Sequence, residues 1–189
     1  IIKVFKELVK QGYIYRGLKP VYWCGDCETA LAEAEVEYQD HKSQSVYVKF
    51  EVENDKNTSI LIWTTTPWTL PSNVAVAFHP DFEYVVLEIK ETQNKNLVIG
   101  EKLILVKDLV GKVSEKLGIT NYEILKIFKG TELENIKCQS PYRKEKSVGI
   151  LADYVTLEDG TGIVHIAPGH GEDDYLAGLK YNLPIIAPV

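Results

Sequence analysis

The strongest indication of the fold class is the segment Ser45-Val-Tyr-Val-Lys-Phe-Glu-Val-Glu-Asn-Asp-Lys-Asn-Thr-Ser-Ile-Leu-Ile-Trp-Thr-Thr65. Its two ends, Ser45–Val52 and Ser59–Thr65, are rich in β-branched and aromatic residues, and a polar cluster separates them. Such runs on either side of a turn cluster predict two strands. The stretch therefore indicates a domain built on a sheet.

The same kind of segment recurs along the rest of the chain. Further strands are predicted at Pro20–Trp23, Glu35–Tyr38, Asn73–Phe78, Tyr84–Ile89, Tyr122–Lys129, Gly149–Leu151 and Gly162–Ala167. Apolar residues at helical spacing predict helices over Ile1–Gln11, Glu101–Leu117 and Glu172–Tyr181. Thr29–Glu37 is ambiguous, and its position between strands favours an extended arm. Many short strands with few peripheral helices predict a β-rich, barrel-like α+β fold.

Composition and charge exclude several classes of protein. The 189 residues are 45% hydrophobic and 25% charged, which argues against disorder. A net charge of −6 has the wrong sign for a domain held to nucleic acid mainly by counterion release. No apolar run approaches the ~20 residues that a membrane span needs, so no membrane partner is expected.

Cysteine and methionine usage suggest where the protein works and what it belongs to. Three cysteines, an odd number, fit a reducing compartment better than a disulfide framework, so a cytoplasmic location is expected. Methionine is absent, and the chain ends on the apolar run Pro184–Val189. We therefore expect a piece of a longer protein.

The segment Trp63-Thr-Thr-Thr-Pro-Trp-Thr-Leu-Pro-Ser-Asn73 carries the first candidate site. Its two prolines cannot donate to a strand ladder, so the chain must leave the sheet here. Alternation along the strand puts Thr64 and Thr66 on one side and Thr65 on the other. Hydroxyls and freed amides at a sheet edge can bind a carbonyl, a ribose or a water. A plain strand followed by a turn would explain the same composition.

The segment Gly160-Thr-Gly-Ile-Val-His-Ile-Ala-Pro-Gly-His-Gly-Glu-Asp-Asp-Tyr175 joins a predicted strand to a helix. His165 lies on the strand, and three carboxylates occupy the first helical turn. Because helix N-termini favour anions, we expect Asp174 to stay ionised and to hold an ammonium group. The alternative is a core histidine beside carboxylates that only complement the helix dipole. The histidine and the carboxylate meet at one turn, which favours a binding site.

The turn Cys24-Gly-Asp-Cys27 supplies half of a zinc site. Cys138 is the one remaining cysteine and the histidines lack ligand spacing, so no metal is predicted unless other parts of the protein supply ligands. The sequence contains no G-x-S-x-G elbow, Walker A loop or H-E-x-x-H motif. With no activated nucleophile, any hydrolysis must position water directly.

Read together, W-T-T-T-P-W-T-L-P-x-N and G-T-G-x-V-H-x-A-P-G-H-G-x-x-D-Y resemble the editing domain of the isoleucyl-tRNA synthetase family. Gly17–Trp23 and Ala30–Tyr38 resemble the strands that join this insertion to the class I catalytic core. Valyl and leucyl enzymes typically read T-T-R-P followed by an acidic residue, whereas this chain has Thr66 and Trp68 there. Lys90–Val148 carries nothing distinctive of the family.

The resemblance implies proofreading. One methylene in a hydrophobic pocket is worth only ~1–3 kcal/mol, so a synthetic site specific for isoleucine must also accept valine. A second site then hydrolyses the misattached valine and excludes isoleucine by size. Whether valyl-adenylate is cleaved as well as valyl-tRNA is left open.

The resemblance also implies a role for each candidate residue. Asp174 would bind the α-ammonium group, and His165 would line the side-chain pocket and exclude the extra methylene. The catalytic set around the ester carbonyl and the attacking water would be Thr64, Thr65 and Thr66, with Asn73 bracing the loop. Two further residues would pack against the terminal adenosine, namely Trp63 and Thr69.

Domain organisation and partners follow from the same resemblance. Residues 1–40 would lead towards an absent catalytic core, residues 41–175 would form the editing domain, and residues 176–189 would return to the core. Editing would need no cofactor, whereas ATP and Mg would serve the core, whose His-Ile-Gly-His and Lys-Met-Ser-Lys-Ser signatures are missing here. The expected partners are the rest of the synthetase chain and the 3′ end of tRNA(Ile) carrying valine.

Three alternatives remain at this point. The chain could be a module that binds aminoacyl ends without cleaving them. It could be a zinc-dependent hydrolase that uses Cys24 and Cys27. It could also share the fold but belong to a leucyl or valyl enzyme, which the Thr66 and Trp68 pair argues against.

Overall fold

The structure, a computed structural model, describes residues 1–188. The α-helices in this range are α1 (Ile2–Lys10), α2 (Val110–Leu117) and α3 (Glu172–Lys180). The strands are β1 (Tyr22–Cys24), β2 (Thr29–Leu31), β3 (Val46–Val52), β4 (Asp55–Thr64), β5 (Ala75–Phe78), β6 (Glu83–Thr92), β7 (Lys102–Val106), β8 (Ile119–Lys129), β9 (Lys137–Gln139), β10 (Lys146–Leu151) and β11 (Ile163–Ile166). Short 3₁₀ turns occupy Glu33–Glu35, Pro67–Ser72, Lys107–Leu109 and Gly130–Leu133.

Nine of these strands form one sheet in the order β11-β5-β10-β9-β3-β4-β7-β6-β8. β3 and β4 pair as an antiparallel hairpin, while β4 with β7 and β5 with β10 are parallel pairs. The sheet curls until β11 packs against β4, but the outermost strands β11 and β8 do not pair. The β-rich α+β class is confirmed, and the sheet is curled but not a closed barrel.

The main core lies on the curled sheet under α2. Ile60, Leu61 and Ile62 follow one another in β4 and are all buried, because this central strand is covered on both faces. Burying each such side chain contributes roughly 1.5–3 kcal/mol. A smaller cluster joins β5, β10 and β11 to α3, where Ala77, Ile166 and Ala177 are among the buried residues.

The first part of the chain is structured differently from the sheet. Residues 1–49 contain no buried residue, and β1 and β2 form a separate two-stranded hairpin. Helix α1 leaves its apolar side exposed, with Phe5 55% and Val9 44% accessible. The proposed boundaries at residues 40 and 175 stay predictions. None of the helices in residues 1–188 has the length and hydrophobicity to cross a bilayer.

The predicted helix over Glu101–Leu117 is only half correct. Lys102–Val106 is strand β7, and the α-helix begins at Val110. Leu103, Ile104 and Leu105 are consecutive and buried, because β7 lies between β4 and β6. Strand pairing has overridden the helical spacing of the apolar residues. The predicted stop at Gly118 is confirmed by its left-handed φ of 68°.

One further predicted strand is not a strand in the structure, and two more observed strands lie outside the predicted ones. Glu35–Tyr38 is not a strand, because Glu33–Glu35 form a 3₁₀ turn in which the Ala32 N–H donates to the Glu35 carboxylate at 2.7 Å. The strand in the ambiguous arm is β2 instead, at Thr29–Leu31. Strand β9 was not predicted, since its three residues carry no periodic signal.

Candidate functional site

The chain leaves the sheet at the end of β4, as the two prolines predict. Thr64 is the last residue of β4, and Pro67–Ser72 form a 3₁₀ turn before β5. The Thr66 N–H donates to Thr64 Oγ1 at 3.1 Å, and the Thr69 hydroxyl donates to the Thr66 carbonyl at 2.9 Å. The hydroxyls of Thr64 and Thr69 therefore stabilise the turn.

Strand pairing brings the two sequence motifs together. β5 runs antiparallel to β11, with His165 opposite Val76, so the turn that precedes β5 lies beside the end of β11. Thr69 Oγ1 lies 2.8 Å from His165 Nε2, and Asn73 Nδ2 lies 3.5 Å from His165 Nδ1. Both ring nitrogens are thus engaged by residues of the threonine-rich segment.

His165 is held as a neutral imidazole. Burial lowers the pKa of His165 to about 4, with a smaller contribution from nearby His170, so the ring is uncharged at pH 7. The Asn73 amide nitrogen can only donate, which assigns the proton to Nε2 and leaves Nδ1 as the acceptor. The Nε2–H then donates to Thr69, whose own proton goes to the Thr66 carbonyl.

Asp174 is a partly buried carboxylate in the first turn of α3. The Ala167 N–H donates to Asp174 Oδ2 at 2.8 Å. Burial raises the pKa of Asp174, and the Ala167 hydrogen bond opposes that shift. Burial thus acts against the ionisation that we expected from the helix N-terminus. Within residues 1–188, no lysine or arginine forms an ion pair with this carboxylate.

These groups face one cavity of about 300 Å³, which we call the His165 cavity. Its lining residues are Thr66, Trp68, Thr69, His165, Ala167, His170, Gly171 and Asp174. The structure therefore brings four of the predicted site residues together. Asn73 is not among the lining residues; it is buried and supports His165.

Three other predicted residues line a separate cavity of about 290 Å³, the Gly160 cavity. They are Trp63, Thr64 and Thr65, and the remaining lining comes from residues 154, 156 and 158–164. The ring of Trp63 packs on Gly160, where a Cβ atom would lie 3.1 Å from it. Thr64 Oγ1 is 3.2 Å from Thr66 Oγ1, so this hydroxyl pair links the two cavities.

The Gly160 cavity is lined by two exposed carboxylates, Glu158 and Asp159, and Asp159 has a cationic partner. Asp159 lies 2.7 Å from Lys112 Nζ, which also donates to the Glu158 carbonyl at 2.9 Å. The hydrogen bond from Lys112 lowers the pKa of Asp159.

The turn Cys24–Cys27 lies in the exposed β1–β2 hairpin. The Cys27 N–H donates to Cys24 Sγ at 3.4 Å, which lowers the pKa of Cys24. In the part of the chain that the structure describes, no group of three or more His, Cys, Asp or Glu residues is placed to hold a metal ion.

Four residues that line the His165 cavity were not predicted from the sequence, and the two with large side chains are Trp68 and His170. Trp68 is 62% exposed although it is large and apolar, and His170 lies between two glycines before α3. Both belong to the motifs that carried the family resemblance. The sequence could have indicated Trp68 as a site residue because it is a tryptophan in a polar turn, and His170 because glycines flank it.

Comparison with known proteins places this site in a family. The family described as tRNA synthetases class I (I, L, M and V) matches residues 1–173. The chain belongs to the class I tRNA synthetases. The resemblance inferred from the two motifs is thereby confirmed at the level of the family.

Curated relatives within the class I tRNA synthetases narrow the assignment. The chain is 51% identical to the isoleucine–tRNA ligase of Petrotoga mobilis and 53% identical to those of Syntrophomonas wolfei and Fervidobacterium pennivorans. Each match covers the whole chain and 20% of the relative. The chain therefore spans about a fifth of the length of these class I synthetases.

Solved structures show the same fold in class I editing domains. GlLeuRS-CP1 matches with a TM-score of 0.60 at 16% identity, over 72% of this chain and 60% of that one. The editing domain of the P. knowlesi cytosolic leucyl-tRNA synthetase matches with a TM-score of 0.58 at 16% identity, over 74% and 64%. The sheet and its flanking helices are thus those of class I synthetase editing domains.

Proposed function

We propose that this domain hydrolyses valyl-tRNA(Ile) within an isoleucine–tRNA ligase that spans a longer chain. The observation that carries the proposal is the His165 cavity, in which the partly buried Asp174 carboxylate, which has no cationic partner in residues 1–188, shares the walls with a neutral imidazole. A buried carboxylate gains most from a ligand that brings a positive charge. The α-ammonium group of an esterified amino acid supplies that charge.

Selection against isoleucine is the task of His165 in this proposal. The ring is buried and hydrogen-bonded at both nitrogens, so it cannot turn aside easily for a larger side chain. Forcing one extra methylene into a fixed wall typically costs about 1–3 kcal/mol. Valine would fit between this wall and Asp174, whereas isoleucine would not.

Water is the nucleophile, because no activated side chain is present in the site. The water oxygen attacks the ester carbonyl carbon, the bond between that carbon and the ribose oxygen breaks, and the ribose oxygen receives the proton. Thr66 lies in the His165 cavity, and Thr64 and Thr65 lie in the adjoining one. Their hydroxyls would orient the carbonyl and the water, and the free ribose hydroxyl would help to activate it.

The remaining expectations concern the whole protein. The parent chain would ligate isoleucine to tRNA(Ile) with ATP and Mg at a core outside this segment, in the cytoplasm. Trp63 and Thr69 would pack against the terminal adenosine. With a net charge of −6, this domain should bind tRNA weakly by itself, so the rest of the chain would supply most of the affinity.

Deacylation of valyl-tRNA(Ile) by the purified chain tests the proposal. We expect release of valine faster than spontaneous hydrolysis, little release from isoleucyl-tRNA(Ile), and loss of activity in Asp174→Ala. No acceleration at high protein concentration would favour a binding module that does not cleave. Activity that disappears with a chelator and returns with zinc would favour the metal-dependent alternative.

A further inference from the structure

The hairpin formed by β9 and β10 holds Asn73 from two directions. Arg143 Nη1 donates to the main-chain carbonyl of Asn73 at 2.9 Å, and the Ser147 hydroxyl donates to the side-chain oxygen, Asn73 Oδ1. Asn73 and Ser147 are each only 1% exposed. The loop that carries Arg143 is tied in turn by Gln139, whose side-chain amide donates to the Arg143 carbonyl. None of these contacts is suggested by spacing along the sequence.

Two hydrogen bonds, one of them from Ser147, fix the orientation of the Asn73 side-chain amide. Its oxygen accepts from Ser147, while its nitrogen donates to the Ala75 carbonyl at 2.7 Å. Turning the amide over would place its oxygen against that carbonyl and leave the Ser147 hydroxyl without its acceptor. A buried group left unpaired in this way is unfavourable. The nitrogen therefore stays directed at His165 Nδ1.

The orientation of the amide decides the state of the imidazole. A donor facing Nδ1 excludes a proton on that atom, so the proton lies on Nε2 and points at Thr69. The same donor opposes a second ring proton, in agreement with the lowered pKa of His165. The hairpin thus reaches the wall of the His165 cavity through Asn73.

We propose that Arg143 and Ser147 are positioning residues that act through Asn73 to hold His165 in the Nε2–H tautomer and in one orientation. Where the cavity selects amino acids by size, these two residues set the rigidity of the selecting wall. That part rests on the proposed function. The hydrogen-bond relay itself does not, so the two can be tested separately.

The test compares ring nitrogen signals of His165 by ¹⁵N NMR of histidine-labelled chain, with His165→Gln used to assign them. We expect Ser147→Ala to replace the single-tautomer pattern by a mixed one, and Arg143→Met to move the signals less in the same direction. Arg143→Lys keeps one donor and should stay near the wild type. Ser140→Ala is the matched control, because Ser140 is a buried serine of the same hairpin that accepts from the Tyr142 N–H.

Unchanged His165 signals in Ser147→Ala or in Arg143→Met would overturn the relay for that residue, and an equal change in Ser140→Ala would overturn its specificity. The second readout is the ratio of valyl- to isoleucyl-tRNA(Ile) hydrolysis. We expect Ser147→Ala to lower this ratio by roughly 3- to 10-fold, the worth of one hydrogen bond. A changed tautomer with an unchanged ratio would overturn the link to selectivity. A wild-type chain that hydrolyses neither ester would refute the proposed function and leave the NMR result decisive for the relay.

Discussion

Two cavities flank the threonine-rich segment, and each contains a carboxylate in a different electrostatic situation. In the Gly160 cavity, Asp159 is exposed and already paired with Lys112, which lowers its pKa. In the His165 cavity, Asp174 is partly buried, has no ion pair within residues 1–188, and has a raised pKa. Glu158, the other carboxylate of the Gly160 cavity, is exposed to solvent, so Asp174 is the one carboxylate of the two cavities that is partly buried without an ion pair in residues 1–188.

This difference indicates which carboxylate should bind a positively charged group of a ligand. An exposed ion pair contributes little and needs no further partner. A partly buried carboxylate with a raised pKa gains from a cation brought by a ligand, because the cation stabilises its charged form. We therefore propose that the amino group of the substrate binds at Asp174 and that the Gly160 cavity receives uncharged parts of the substrate.

The largest expected effect is at Asp174. Asp174→Asn keeps the shape but removes the charge that meets the ammonium group, and losing one member of a buried charge pair costs about 2–5 kcal/mol. Hydrolysis of valyl-tRNA(Ile), measured as kcat/KM, should fall by at least about 30-fold. An effect no larger than that of Asp159→Asn would erase the distinction between the two cavities.

The next effect is on stability in acid. Between pH 6.5 and about 4 the unfolded histidine is protonated while buried His165 is not, so the unfolded state binds more protons. The free energy of unfolding should therefore fall as the pH is lowered through this window, by about 3 kcal/mol at pH 4.

Urea unfolding of the wild type and of His165→Gln at pH 7 and pH 4 isolates this contribution. The glutamine variant lacks the titration, so the gap between the two proteins should change with pH. If both lose the same stability between the two pH values, His165 does not have the lowered pKa that its burial indicates.

The next prediction concerns the selection of valine over isoleucine by His165. His165→Ala removes the wall that faces Asp174, so isoleucyl-tRNA(Ile) should become a substrate. The valyl to isoleucyl ratio of kcat/KM should fall by at least about tenfold, the lower end of what one methylene is worth. His79→Ala serves as a control, because His79 stacks on Phe82 away from both cavities. An unchanged ratio in His165→Ala would assign the selection to other residues.

The smallest effect is expected at the paired carboxylate. Asp159→Asn removes an exposed charge whose partner, Lys112, stays solvated. Deacylation should stay within about twofold of the wild type, as expected for an exposed pair. A loss as large as that of Asp174→Asn would show that the Gly160 cavity also binds charge.

Local sequence signals predicted the parts of the fold and site that depend on nearby residues. The strands around Ser45–Thr65 and the turn at Pro67 follow from composition and from the missing proline donors. The meeting of Thr66, His165 and Asp174 was inferred from the family resemblance. It depends physically on the pairing of β5 with β11, which no local pattern reports.

Other features depend on contacts that are distant in sequence. The apolar residues around β7 have helical spacing, but the segment forms a strand because it pairs with β4 on one side and β6 on the other. Asp174 was expected to stay ionised at a helix N-terminus, but its burial in the folded protein raises its pKa. Arg143 and Ser147 lie 70 and 74 residues from Asn73 along the chain, so no local pattern in the sequence predicts these contacts.

A crystal structure with a non-hydrolysable valyl-adenosine analogue would show directly where the amino group and the side chain of the substrate bind. The ammonium group should lie within about 3 Å of the Asp174 carboxylate, with the valine side chain against His165 and the adenosine extending towards the Gly160 cavity. The isoleucyl analogue should not occupy the same position. An ammonium group bound away from Asp174, or an isoleucyl side chain accommodated without movement of His165, would refute the proposed roles of these two residues.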